Sequence, residues 1–443
     1  MELSKNQKLI LAAVLLGVFI CGLAYSFYFR IPPAVDARAY DSIARNIVAG
    51  NGYRGSLEGP LDQDNSIMRV GPGYEFFLAA IYFIIGYSYE VIWVIQAFLL
   101  ALSALLVFGV SRQVFKDNWS FSAGIVAAVL IGFSPDLITM QGMLMTETLG
   151  VFLITLSAYL FFRYFNSQRR SWPIILLLGL AMGAAGSVRT PALFLFLPIL
   201  FYCFRAKQWN HGLLVLCGAA IIFTPWIIRN YIVFNAFVPT NLAYGVDLLA
   251  GNHLGATGEL EPYPLADQYL EQYGLVAGSR QLTKETLKFM AFHPLEFLKI
   301  TFYRISIYFS FARPTGFWFH LHGLSRGLTL ALSAIYSAIL FILGFWGILK
   351  IKNLAGADKT RAQFLTALLI MMPLAVVGII VETRYRMLVY PFFAVFAGYG
   401  LRELLSGRLA WKSALYVSLF LILNTIFDAW RNLERVLERI SNL

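Results

Sequence analysis

Asp36 opens the segment Val35-Asp36-Ala37-Arg38-Ala39-Tyr40, directly after an apolar run that ends near Phe29. A carboxylate there could take a proton from an acceptor hydroxyl, as a general base must. Several arginines recur farther along. Arg69 precedes Val70-Gly71-Pro72-Gly73-Tyr74, and Arg189 sits in Ser187-Val188-Arg189-Thr190-Pro191. Arg229 follows Pro225-Trp226-Ile227-Ile228, and Arg384 and Arg386 fall in Glu382-Thr383-Arg384-Tyr385-Arg386. Arginine grips phosphate through two parallel N–H donors. A phosphate leaving group needs positive charge and no general acid. Cleavage of a glycosidic bond, by contrast, needs a second carboxyl to protonate the departing oxygen. One acid with several arginines suits displacement of a phosphate. Each residue also has a plainer reading: Asp36 as a helix N-cap, each arginine as an anchor with its stem along lipid and its head in water.

Other polar residues are weaker candidates. Glu147, in Thr146-Glu147-Thr148-Leu149, starts an apolar run, where an acid favours the helix dipole and could also pair with an arginine. Asp41 is expected at the surface or behind the site. His253 stands in Gly251-Asn252-His253-Leu254-Gly255 and could bind a phosphate or a metal. Tyr40, Tyr53, Tyr74, Trp226, Tyr231, Tyr244 and Tyr385 could stack on sugar faces or form an interfacial aromatic belt. No HExxH or Cys/His cluster occurs, so no metal site is assigned and a divalent ion is left open. Without a P-loop or a GxGxxG ahead of a helix, nucleotide binding has no support. No cofactor is called for.

The chain of 443 residues is 59% hydrophobic and 13% charged, far less charged than the roughly 25% of soluble domains. Apolar runs recur at 9–29, 73–88, 90–110, 120–138, 147–165, 173–188, 191–204, 212–228, 296–312, 326–349, 363–381, 387–404 and 412–429. Their lengths make this an all-α integral membrane protein. The net charge of +11 belongs to short loops between the runs and not to a nucleic-acid-binding domain. Cys21, Cys203 and Cys217 lie in apolar runs and form no disulfide framework. The basic start followed by a long apolar run reads as an uncleaved first span.

Placing Lys5 and Lys8 inside and counting every run as a span puts Arg112/Lys116, Arg163/Arg169/Arg170 and Arg205/Lys207 outside, against the positive-inside bias. Removing 73–88 and 296–312 restores the bias. Both carry charged residues within them (Glu75; Glu296, Lys299 and Arg304) and suit helices lying in the interface. About eleven spans remain, in one domain over 1–443, with an outer loop at about 30–90 and another at about 229–326. The turn signals Asn252, Gly255, Gly258, Pro262 and Pro264 lie in the second loop, followed by a helix from about Gln281 into 296–312. The tail from Trp430 to Leu443, with Leu433, Leu437 and Ile440 on one face, reads as an amphipathic helix at the outer surface.

These pieces, in this order, resemble the polyprenyl-phosphate-sugar-dependent GT-C glycosyltransferases, the protein O-mannosyltransferases and aminoarabinose transferases. The matching elements are Asp36 with Tyr40, Arg69-x-Gly-Pro-Gly-Tyr74, Thr146-Glu147-Thr148-Leu149, and Gly179-x-x-x-Gly183 before Arg189-Thr190-Pro191. Pro225-Trp226-x-x-Arg229-Asn230-Tyr231 and Arg384-Tyr385-Arg386 before Pro391 complete the set. The resemblance covers about the first 250 residues and the 382–400 region. It implies a GT-C bundle with a juxtamembrane helix after Arg69. It further implies inverting transfer of a monosaccharide from a polyprenyl-phosphate donor to a lipid, glycan or protein hydroxyl (or amine), with no nucleic acid involved. Asp36 would be the base. Arg69, Arg189, Arg229, Arg384 and Arg386 would hold the donor phosphate. Tyr40, Tyr74, Glu147, Tyr244, His253 and Tyr385 would contact sugar or acceptor. The site would face outside, across the cytoplasmic membrane. Many relatives carry Asp-Glu where this chain has Asp36-Ala37, so a role for that second acid is not available here, and the large soluble C-terminal domain of some members is expected to be missing. A transporter or flippase of lipid-linked sugars is the alternative. Internal repeats and helices broken at mid-membrane, the usual marks of transporters, are not evident in the sequence.

Overall fold

The computed structural model describes residues 3–434, apart from 70, 117–119, 169–170, 262, 314–318 and 408–410. Among them every regular element is helical. The first half contains α1 (Lys5–Phe29), α2 (Asp36–Val48), α3 (Gly73–Ile85), α4 (Tyr89–Val114), α5 (Ser120–Gly132), α6 (Pro135–Gln141), α7 (Thr146–Phe165) and α8 (Trp172–Val188). The second half contains α9 (Phe196–Arg205), α10 (Trp209–Phe234), α11 (Ala243–Gly251), α12 (Pro264–Phe292), α13 (Pro294–Phe309), α14 (Gly323–Lys350), α15 (Gly356–Val377), α16 (Tyr390–Leu405) and α17 (Trp411–Arg431). Short 3₁₀ turns at Asn65–Met68, Thr190–Leu195 and Thr383–Val389 lead into α3, α9 and α16.

Eight helices are long and apolar enough to cross a membrane, and up to ten spans result if each bent pair counts as one. The expected count of about eleven is therefore not reached on length and composition. All eleven predicted runs carry helix, but three are short or broken. The run at 120–138 bends by 51° between α5 and α6. Ser134 caps α6 there and Pro135 takes its first turn, where a missing N–H costs nothing. α8 and the Thr190–Arg205 helix are shorter than the roughly 20 residues a span needs. The two runs excluded by charge form α3, of 13 residues, and α13, of 16. At about 1.5 Å per residue α3 reaches only about 20 Å, and its exposed Phe83, Ile84 and Ile85 leave an apolar edge uncovered.

Burial separates the helices into two kinds. The Thr383–Leu405 span is 78% buried, whereas α1 and α17 are buried over only 22% and 17% of their apolar windows. α16 is thus the bundle's centre, and α1 and α17 offer apolar surface to lipid. Where α8 crosses α10, a Cβ on Gly179 would meet the Val215 carbonyl oxygen at 2.3 Å, so only glycine permits this approach.

The loops sort to two ends. Arg361 donates to the Val114 carbonyl (3.1 Å) and to Asn166 Oδ1 (3.2 Å), drawing the α4–α5, α7–α8 and α14–α15 connections together. These are the loops that the charge pattern placed on one side. The opposite ends of α7 and α8 carry Glu147 and Arg189, and Asp36 and Arg384 meet them there.

Some boundaries differ from expectation. Trp430 and Arg431 complete α17 and do not open a separate helix; Leu437 and Ile440 lie outside the described residues, as do Pro262, Arg169 and Arg170. The helix expected from Gln281 is α12, which starts at Pro264, kinks at Gly274 (φ 76°) and ends before Pro294.

Candidate active site

α2 places Asp36. Val35 precedes it with φ 51°, an unusual conformation for a β-branched residue and one that costs about 1–3 kcal/mol. Val35 itself is the N-cap and makes no side-chain cap bond, so Asp36 is the first helical residue and its carboxylate does not cap α2. A clasp behind it fixes the helix. Asp41 accepts hydrogen bonds from Tyr82 Oη (2.5 Å), Tyr89 Oη (2.9 Å) and Arg45 Nε (3.0 Å). Asp41 therefore ties α2 to α3 and α4 from behind.

The freed Asp36 carboxylate lies between two arginines. Arg69 Nη1 stands 3.3 Å from Oδ1, and Arg384 Nη1 stands 2.9 Å from Oδ2. Arg384 continues the network: its Nε bonds Glu382 and lies 3.9 Å from Glu147 Oε1. Glu147 in turn bonds the guanidinium of Arg189, and both are buried. Three carboxylates and three guanidinium groups from five separate segments thus form one chain of charge. Close packing makes this possible. A Cβ on Gly73 would lie 2.5 Å from Ser187 Oγ, so the Gly71-Pro72-Gly73 turn seats the first outer loop directly against the last turn of α8, just before Arg189.

A cavity of about 210 Å³ opens beside the network. Arg189 and Tyr385 form part of its wall, with Thr190 and Asn241 alongside. Tyr385 also carries Arg189 and Arg384 near its ring, at 5.4 and 5.8 Å from the centroid. Asp247, on α11, completes the polar side. Burial raises its pKa to about 7; Glu382 adds to the rise and Arg384 opposes it.

The chain aligns over 94% of its length with ArnT from Cupriavidus metallidurans bound to undecaprenyl phosphate, at TM-score 0.53 and 15% identity. The chain has a GT-C-like fold. It spans 63% of the length of that ArnT chain. The archaeal oligosaccharyltransferase AglB from Archaeoglobus fulgidus, in complex with an inhibitory peptide and a dolichol-phosphate, aligns at TM-score 0.46 and 14% identity, covering 94% of this chain and 55% of AglB. Residues 69–228 match the family model described as dolichyl-phosphate-mannose-protein mannosyltransferase. No curated protein sequence matches this chain.

Within this GT-C-like framework the predicted site residues separate. Asp36, Arg69, Glu147, Arg189 and Arg384 come together; Tyr244 and Tyr385 line the cavity. Arg229 lies apart, donating to the Tyr53 carbonyl (2.8 Å) with its guanidinium 5.3 Å from the Trp226 ring centroid. Arg386 is fully buried and donates to the carbonyls of Ser310 and Arg313, both at 2.7 Å. In that position it braces the turn after α13. Tyr74 is buried and donates to Gln96 Oε1 (2.9 Å), and Tyr40 packs edge-on against it. Both are interior supports, not exposed stacking platforms. His253 stacks on Tyr263 with ring centroids 4.1 Å apart. Among the described residues no group of three His, Cys, Asp or Glu side chains could hold a metal.

Two acids of the site, Glu382 and Asp247, went unrecognised in the sequence. A signal existed for Asp247: it lies three residues after Tyr244, on the same helical face.

Proposed function

We propose that this protein transfers a monosaccharide from a polyprenyl-phosphate donor to a hydroxyl or amine of a lipid, glycan or protein, at the extracytoplasmic face of the cytoplasmic membrane. The observation that carries this reading is Asp36 held between Arg69 and Arg384 beside a cavity. The family matched over 69–228 and the undecaprenyl phosphate bound by the ArnT structure support the donor class.

The chemistry is one displacement. The acceptor oxygen attacks the anomeric carbon as Asp36 takes its proton. The bond from that carbon to the phosphate oxygen breaks, and the electron pair leaves with polyprenyl phosphate. Attack opposite the leaving group inverts the anomeric centre. In the resting arrangement two guanidinium groups occupy the Asp36 carboxylate. An arriving phosphate offers them a better-matched anion. Arg384, and Arg69 with it, then turn from Asp36 to the phosphate and release the carboxylate to the acceptor. Donor binding therefore prepares the base. Glu147 and Glu382 keep the guanidinium groups oriented and their charge balanced during the exchange.

Binding of undecaprenyl phosphate tests the anion site. Arg384→Ala should weaken it by about 1.5–3 kcal/mol, the range for hydrogen bonds to charged groups. Arg384→Lys should recover only part, lacking the fork. Unchanged affinity in both variants would remove Arg384 from the phosphate.

A further inference from the structure

We infer that the cavity beside the ion network is the subsite for the sugar ring of the donor, and that Asp247 is its specificity-determining residue. This rests on the donor reading above and goes further, by assigning the ring a place and a hydrogen-bonding partner.

The Asp247 carboxylate lines the cavity, yet no hydrogen bond from a described residue reaches it. Asp247 is half-buried, and a carboxylate that faces a mostly apolar cavity without a protein donor is placed to accept hydrogen bonds from a ligand. The rest of the lining is mostly apolar, with Val376, Ile379, Ile380 and Leu388 among its aliphatic residues. Four classes of occupant can be weighed against this lining. A phosphate would be repelled by Asp247. A polyprenyl chain would satisfy the aliphatic wall but leave the carboxylate without a donor. A metal would need ligands that no described cluster provides. A hydroxylated ring meets both demands, with hydroxyls for Asp247, Asn241 and Thr190 and C–H faces for the aliphatic side.

Size and position agree. At about 210 Å³ the cavity is smaller than the roughly 300–1,000 Å³ of drug-sized pockets, so it suits one small ring. Its wall shares Arg189 and Tyr385 with the ion network, and Asp247 feels the charge of Arg384, which binds Asp36. A ring seated here stands next to the arginines assigned to its own phosphate. Discrimination among sugars then follows from which hydroxyl reaches Asp247, because an analogue lacking it leaves the acid unpaired.

The test uses the full chain in nanodiscs. Affinities are measured for undecaprenyl phosphate and for undecaprenyl phosphates carrying single mannose, glucose, galactose, N-acetylglucosamine or arabinose units. In the unmodified protein at least one sugar-bearing lipid should bind about 10-fold more tightly than the bare lipid. Asp247→Ala and Asp247→Asn should abolish most of that gain, while the bare lipid binds at least as tightly as before because a repelling charge is gone, which also shows that the variants fold. A gain that survives in both variants, or no gain for any sugar, overturns the inference alone. Bare-lipid binding that is absent, or indifferent to Arg384→Ala, overturns the donor reading and the inference with it.

Discussion

Glu75 gives a stability prediction whose size and sign follow from its surroundings. It lies in α3, fully buried, with Oε1 accepting from Tyr53 Oη at 3.1 Å and Oε2 without a hydrogen bond. Burial raises its pKa from 4.5 to about 8, although the Tyr53 hydrogen bond and the charge of Arg69 pull the other way. Between these two values the folded protein holds a proton that the unfolded chain has released. Stability must then fall as pH rises from about 4.5 to about 8, and level off above. Each pH unit in that window costs about 1.4 kcal/mol, so the whole window is worth at most about 5 kcal/mol. Glu75→Gln keeps the shape and a hydrogen-bonding oxygen but cannot ionise. Thermal unfolding of the purified protein, followed by near-UV circular dichroism from pH 5 to 9, reads the difference. The variant should gain on the unmodified protein steadily up to about pH 8. Parallel curves across the whole range would refute the buried neutral carboxyl. Subtraction of the two curves removes other titrating groups, Asp247 included.

Two further outcomes follow from the same geometry. Glu147→Gln leaves the buried Arg189 without its carboxylate and should cost about 3–5 kcal/mol of stability, while the double change with Arg189→Met should cost less than the two single changes summed, as a double-mutant cycle would show. A cysteine placed at residue 88, in the turn between α3 and α4, should label from outside the cell; labelling only from the cytoplasmic side would reverse the topology and the facing of the site.

The site was legible in part because its charges break a rule. Arg69, Arg189 and Arg384 stood out against the positive-inside bias, and Asp36 and Glu147 against their apolar flanks. Opposite charges at one end of a bundle are drawn together once the helices pack. Side-chain direction was less readable. Arg384 and Arg386 are neighbours in sequence, but they lie in a 3₁₀ turn of three residues per turn, so positions two apart face different ways. One reaches Asp36; the other braces Ser310 and Arg313. Tyr40 and Tyr74 carry the same residue type as Tyr244 and Tyr385, and only packing separates buried supports from cavity walls. Asp247 hid because an acid between Val246 and Leu248 acquires meaning from Glu382, 135 positions away in the chain. The span count suffered where helices bend: hydropathy sums over Ser134-Pro135 as though the run were straight, and the cap that breaks it is local chemistry.

The central claim is that Asp36 is the base of an inverting transfer. Its most direct test is single-turnover transfer from a polyprenyl-phosphate sugar that the protein accepts, comparing the unmodified protein with Asp36→Asn and determining the product's anomeric configuration by NMR. Because the Asp36 side chain makes no cap bond, the amide should leave α2 intact and remove only the proton-accepting oxygen and its charge. The account predicts an inverted product and turnover lowered by about 100-fold or more in the variant, with the donor still bound. A folded, donor-binding Asp36→Asn protein that transfers sugar at the unmodified rate, or a product of retained configuration, would contradict it.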